Sequence, residues 1–230
     1  MSNFSKIPSP AGLASGSLRY LTLSCPDSLL FRRWVHLYAQ RFPFYERSPV
    51  ASIAAGLLEG ELFIEGLCFR SEVDRHWDWA SFVCYETYPT GTLLAYLATH
   101  PDFEGRGLAR QLVQGLVEQR LSHQQPYFWL EAEPKLWGFY RSQGFFQLPF
   151  TYYIPRFFGE GVVKMGLFVK SLRDVIERST VYEMVQTLYL QSYDLAEDDP
   201  RIEKGLAEVF SLPKQIDIPE MARIGNQKDE

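Results

Sequence analysis

The sequence predicts an α+β (α/β) domain of seven strands flanked by helices, followed by a helical C-terminal extension. Three observations carry this. Apolar runs of strand length, bounded by Gly, Pro and polar clusters, recur from residue 18 to residue 169. Between residues 92–99 and 108–121 the apolar pattern changes from a continuous run to a helical period, with Leu108, Leu112, Val113, Leu116, Val117 and Leu121 on one face. Beyond residue 172 only helical spacing remains: Val181, Met184, Val185, Leu188, Tyr189 and Tyr193, then Ile202, Leu206, Val209 and Phe210.

Taken in order, residues 1–16 carry Ser, Pro and Gly and read as a loose leader. A first strand spans 18–25. Asp27 or Ser28 caps the first helix, 29–40. The aromatic segment 42–47 forms a turn, and Ser48-Pro49 opens a second short helix over 50–58. Glu59-Gly60 turns into a strand at 62–69. Residues 71–79, polar and rich in Trp, are expected to be a hairpin loop before the strand 80–88. Gly91 leads into the central strand, 92–99, the fourth in order. The third helix follows, and Gln124-Gln-Pro126 stops it. A fifth strand covers 127–133, and a short helix from Pro134 carries Trp137 and Tyr140 and ends at Gly144. A sixth strand at 150–158 is interrupted at Pro155. Gly159-Glu-Gly161 is a hairpin turn, and 162–169 the seventh strand. The main domain is placed at 17–172, the helical extension at 173–212 with a capping box at Thr180-x-x-Glu183, and a mobile tail at 213–230.

Composition narrows the function classes. The 230 residues are 46% hydrophobic, enough for a sizeable core, and 15% aromatic. A net charge of −5 argues against a general nucleic-acid binder and suits a cationic or amine partner. No apolar run is long enough to span a membrane and no signal peptide is recognisable, so the chain is not expected to be a membrane protein. Three cysteines, Cys25, Cys68 and Cys84, match no metal-site spacing and lie in apolar runs. They read as reduced core thiols of a cytoplasmic protein.

Two linked motifs carry the chemistry. The first is Glu104-x-x-Gly107-x-Ala109, at the turn from the central strand into the third helix. Its glycines let the backbone bend and approach a ligand closely, and the helix start offers unpaired N–H groups that suit a phosphate or pyrophosphate. The second is Tyr140-x-x-x-Gly144-Phe145, one strand further on. In order, separation and intervening strand the pair resembles the GNAT superfamily of N-acetyltransferases. Phe42-Pro-Phe-Tyr-Glu46-Arg47 and Glu131-Ala-Glu133-Pro134 resemble one branch of that superfamily, which also carries a C-terminal helix. The resemblance implies a central mixed, mostly antiparallel seven-stranded sheet and an acetyl-CoA donor, with no metal.

The resemblance also implies roles. Gly105, Arg106, Gly107, Leu108, Ala109 and Arg110 would cradle the pyrophosphate; either arginine could equally be a solvated helix-start charge. Leu97, Ala98 and Thr99 would bind the pantetheine arm and turn an N–H toward the thioester oxygen. Tyr140 would lie against the cofactor's sulfur and protonate the leaving thiolate. Glu104 departs from the pattern, which has Gln or Arg there, and a carboxylate repels phosphates. It either turns toward Arg106 or Arg110 or weakens binding.

The general base is open. Glu86, Glu131 and Glu133 are candidates, with Glu131 and Glu133 on one strand face and Glu131 the first choice. Glu133 could instead cap the following helix, and a water chain could replace a direct base. His76 and His100 stand at no metal-ligand spacing. The expected function is acetyl transfer from acetyl-CoA to an amine of a small molecule or peptide by direct attack. The alternative is a catalytically degenerate acyl-CoA sensor or interaction module. The apolar C-terminal helix could pair two copies into a homodimer.

Overall fold

The computed structural model describes residues 18–70, 75–156 and 161–224. The leader expected at 1–16 and most of the turn at 159–161 fall outside them. The chain divides into two compact units. One comprises Met1–Pro43, Pro49–Glu86 and Leu94–Gln119, the other Phe44–Ser48, Thr87–Leu93 and Arg120–Glu230.

In the first unit, β1 (Arg19–Leu23) pairs antiparallel with β2 (Leu62–Arg70), and β2 with β3 (Trp77–Tyr88). β4 (Gly91–Thr99) follows β3 in the strand order. The strand β3 starts inside the expected hairpin loop, because Trp77 and Trp79 pair with Arg70 and Cys68. Trp79 is fully buried, and its indole N–H donates to Leu30 O at 3.0 Å. A side chain at Gly66 would put its Cβ 2.2 Å from Ser81 O, so only glycine permits this close strand approach.

Helix α1 (Leu29–Arg41) is capped by the Ser28 hydroxyl, which accepts from Phe31 N at 3.1 Å. It buries Phe31, Trp34, Leu37 and Tyr38. Trp34 stacks on Tyr38 with ring centres 4.8 Å apart and meets Phe82 edge-on at 5.5 Å. Each such side chain contributes about 1.5–3 kcal/mol through burial. Helix α2 (Val50–Glu59) ends at Gly60, whose left-handed φ of 75° closes it. Helix α3 (Leu108–Arg120) buries Leu108, Leu112, Val113, Leu116 and Val117, the face its period predicts. Cys68 and Cys84 are buried, and burial raises both thiols; Cys25 is exposed, so only two of the three are core thiols.

In the second unit, the first residues of β4 run parallel to β5 (Tyr127–Ala132) through Thr92–Phe128 and Leu93–Trp129. Gly91 makes this possible: its φ is 122°, and a Cβ there would lie 2.0 Å from Tyr127 O. The strand β5 pairs antiparallel with β8 (Val162–Ser171) from Tyr127–Ser171 to Ala132–Gly166. The strand β8 also pairs antiparallel with β6 (Phe146–Gln147) and β7 (Tyr152–Pro155). The sheet is therefore mixed and mostly antiparallel. Among the described residues it has eight strands where the sequence predicts seven, because the two-residue β6 is too short for any periodicity to reveal. Short helix α4 (Trp137–Ser142) lies between β5 and β6.

The C-terminal region packs into the same core as the sheet. Trp129, Tyr152, Leu167 and Val169 share one buried cluster with Val181, Met184, Leu206 and Val209, so the packing does not break at residue 172. Helix α5 (Arg178–Thr187) begins two residues before the expected capping box, with Glu177 at its N-cap and no side-chain cap bond. It continues as one π-helical turn over Leu188–Ser192, and α6 (Pro200–Phe210) follows. Arg178 donates to the carbonyls of Phe210 (3.0 Å) and Leu212 (2.9 Å), the helix-end acceptors of α6. The tail expected from 213 opens instead with a strand, β10 (Gln215–Asp217), antiparallel to β9 (Val175–Glu177), and buries Ile216, Ile218 and Ala222. Residues 225–230 lie outside the described chain.

Candidate functional site

The residues expected to bind the cofactor belong to the first unit. Ala98 is buried and Leu97 and Thr99 half-buried at the end of β4. The Ser81 hydroxyl lies 2.9 Å from both Ala98 O and Thr99 Oγ1, and His100 N donates to Ala80 O at 2.9 Å. These bonds fix the strand end. A single 3-10 turn (Pro101–Phe103) leads to the loop, where Gly105 and Gly107 take left-handed φ values of 71° and 77°. No atom lies near the position of a Cβ at either glycine, so their role is conformational. Helix α3 begins at Leu108 with no acidic residue in its first turn, which leaves the positive end of its dipole uncompensated.

Charge in this loop is arranged differently from either sequence expectation. Glu104 turns to Arg41 on α1, whose guanidinium donates to Oε1 at 2.5 Å. Arg106 donates to Asp102 O at 2.8 Å and stacks over Phe103 at 5.1 Å, stiffening the loop. Arg41 sits more than sixty residues from Glu104 in sequence, so no local pattern announces the pair.

The second unit holds the other candidates. Tyr140 is only 7% exposed and packs against Phe139, Phe145 and Phe168 with ring centres 5.1–5.9 Å apart. Burial raises its phenol well above the usual range, so it stays protonated at neutral pH. Tyr140 O accepts from Phe145 N at 3.1 Å, and Gly144, at φ 76°, closes the helix; a Cβ there would meet Met221 O at 2.7 Å.

Glu131 is held by two phenols. Tyr152 donates to Oε2 at 2.6 Å and Tyr193 donates to Oε1. Burial raises the Glu131 carboxyl, and the two hydrogen bonds oppose that rise. Tyr193 arrives from the π-helical turn, whose Tyr189 donates in turn to Tyr153 O at 2.7 Å.

A second carboxylate group stands nearby in the chain. Glu133 precedes Pro134 but makes no side-chain cap bond. Its Oε2 instead lies 3.2 Å from Lys135 Nζ, which is 3.9 Å from Glu46 Oε1. Burial first, then the neighbouring Glu133 carboxyl, push the Glu46 carboxyl up to about 7; Lys135 and Arg156 pull the other way. Arg156 also stacks over Tyr45 at 4.4 Å. Sequence reasoning named Glu133 and passed over Glu46, although Glu46 lies in the aromatic motif it quoted. Among the described residues no cluster of His, Cys, Asp and Glu could hold a metal, and no helix is long and apolar enough to cross a membrane.

A family model described as an acetyltransferase (GNAT) domain matches residues 72–147, from β3 through the glycine loop to β6. Over those residues the chain is similar to the acetyltransferase (GNAT) domain. Solved structures agree with it in fold. A protein from Bacteroides thetaiotaomicron assigned to the GNAT family is 19% identical; the match covers 77% of this chain and 99% of that one, with a TM-score of 0.62. Arabidopsis thaliana NAA60 in complex with acetyl-CoA is 15% identical, over 68% of this chain and 99% of its own, with a TM-score of 0.53. A chain of the NatC complex bound to Gag peptide and CoA is 13% identical, over 68% and 99%, with a TM-score of 0.54. No curated protein sequence matches this one. At these identities the likeness to the solved structures establishes the fold.

Proposed function

We propose that the GNAT domain transfers an acetyl group from acetyl-CoA to an amine of a small molecule or peptide by direct attack, without a covalent enzyme intermediate. The observation that carries this is the loop over residues 104–110. Two left-handed glycines bend the chain at the start of a helix that has no acid in its first turn, and a helix start offers unpaired N–H groups. The pairing of Glu104 with Arg41 meets the charge objection to a carboxylate at that place. In this reading the backbone from Gly105 to Arg110 binds the pyrophosphate. Leu97, Ala98 and Thr99 bind the pantetheine arm, and a backbone N–H there polarises the thioester carbonyl. Tyr140 lends its proton to the departing thiolate. Glu131, with both oxygens accepting from phenols, acts as a positioning residue that fixes Tyr152 and Tyr193.

The test has two arms. Acetyl-CoA at a hundred times its dissociation constant should stabilise the protein by about 2.7 kcal/mol and raise Tm by several degrees. A thiol-release screen of polyamines, amino acids, aminoglycosides and short peptides should then find an acceptor. No Tm shift at millimolar acetyl-CoA would refute donor binding. Binding without thiol release from any amine would favour the sensor alternative, a fold that binds acyl-CoA but no longer turns it over.

A further inference from the structure

We propose that Ser81 is a positioning residue for the acyl donor: through the Ala98 carbonyl it fixes the peptide whose other end, the Thr99 N–H, grips the pantetheine arm. The inference rests on the donor binding proposed above and adds a residue of β3 to it.

The geometry lies within the first unit. Ser81 is fully buried, and its one hydroxyl proton goes to Ala98 O at 2.9 Å. The 2.9 Å contact with Thr99 Oγ1 must then run the other way, with the Thr99 hydroxyl donating to Ser81 Oγ. The result is a chain of bonds from Thr99 O–H through Ser81 O–H to Ala98 O. In a trans peptide the C=O of one residue and the N–H of the next point in opposite directions. With Ala98 O aimed at β3, the Thr99 N–H aims away from it. The neighbouring bond agrees. His100 N faces β3, donating to Ala80 O at 2.9 Å, and along an antiparallel strand successive residues turn their N–H groups to opposite sides. On that far side, β4 has ladder partners on β5 only at Thr92 and Leu93 among the described residues. A hydrogen bond to a peptide carbonyl also polarises that peptide, so Ser81 strengthens the N–H donor it aims.

The strands are shaped around this serine. Leu67 pairs with Ser81 and Cys68 with Trp79, which leaves Ala80 as the extra residue of a bulge beside Ser81. A bulge re-aims the side chains next to it. On β2, Gly66 leaves room for the bulged strand, since a Cβ there would lie 2.2 Å from Ser81 O.

The plain role for a buried serine is to satisfy a strand carbonyl, and two ligands of the full chain separate the two roles. CoA carries the arm. The second ligand, 3′-phospho-ADP, keeps the nucleoside and the phosphates of CoA and lacks the arm. By calorimetry Ser81→Ala should weaken CoA binding about three- to tenfold, the size of one weakened hydrogen bond, and leave 3′-phospho-ADP within about twofold. Ser81→Cys has a weak S–H donor and should fall between the parent and Ser81→Ala. Thr99→Val loses the hydroxyl and keeps the N–H, and should show the same arm-selective loss. In NMR spectra the Thr99 amide proton should move downfield with CoA and not with 3′-phospho-ADP, and should move less in Ser81→Ala. Equal losses for both ligands, no loss for CoA, or a Thr99 amide indifferent to the arm overturns the proposal and leaves Ser81 a packing role only. Should Ser81→Ala fail to fold, Ser81→Cys and Thr99→Val decide on the same criteria. If CoA binds the parent no more tightly than 3′-phospho-ADP, this inference falls while the phosphate loop stands. If neither ligand binds the parent, the proposed donor site falls and this role with it.

Discussion

Tyr152 donates its hydroxyl to Glu131 Oε2 at 2.6 Å, joining β7 to β5 through a half-buried carboxylate. Tyr193 completes the arrangement from the C-terminal region. Removing one partner leaves a buried group unsatisfied, which costs about 1–3 kcal/mol. Tyr193→Phe should therefore lower the urea midpoint by that order without changing m, and Glu131→Ala should cost more, because it orphans two phenols. A double-mutant cycle between the two should show strong coupling; additive effects would mean that the hydrogen bond contributes little.

The Arg41–Glu104 pair predicts an effect on cofactor affinity rather than stability. The pair is partly exposed, so its own contribution to folding is small. Its expected role is to neutralise a carboxylate beside the phosphate loop. Arg41→Ala should weaken acetyl-CoA binding about three- to tenfold by calorimetry, and adding Glu104→Gln should restore it. Equal affinities in all three proteins would contradict this.

Tyr140→Phe keeps the ring packed against Phe145 and Phe168 and removes only the hydroxyl. Turnover should fall about 100-fold or more, in the range typical of one general acid, while acetyl-CoA affinity stays within about twofold. Wild-type turnover in the variant would remove the residue from the reaction.

Glu46 makes folding stability pH-dependent. Its folded-state proton affinity is raised from 4.5 to about 7. Its contribution is therefore fully present below pH 4.5 and is lost as pH rises through 7. Glu46→Gln mimics the protonated form. The variant and the parent should be similarly stable near pH 4.5, and the variant should be the more stable at pH 8, by on the order of 2 kcal/mol. Thermal unfolding at the two pH values measures the gap; a constant gap would show that Glu46 does not titrate in this range.

Much of the fold was legible because it rests on local physics. The helical period of Leu108 through Val117, the Ser28 cap and the glycines at 105, 107 and 144 each act within a few residues. The misses are long-range. The strand β3 begins at Trp77 because Arg70 and Cys68 offer it partners on β2. The strand β10 forms because Ile216 reaches a core built forty residues earlier, around Ile176. The lone Gly205 gives no sign in the sequence that a Cβ there would lie 2.0 Å from the Tyr189 hydroxyl.

By itself the sequence determined the kind of domain, the glycine loop before α3 and the helix there, since glycine conformation, helix capping and apolar period are properties of neighbouring residues. Which polar side chain meets which partner was decided only in three dimensions. Glu104 finds Arg41, Glu131 finds Tyr152 and Tyr193, and Glu46 finds Lys135. Charge and hydrogen bonding act through space over a few ångströms, and only the folded chain brings those residues within that reach.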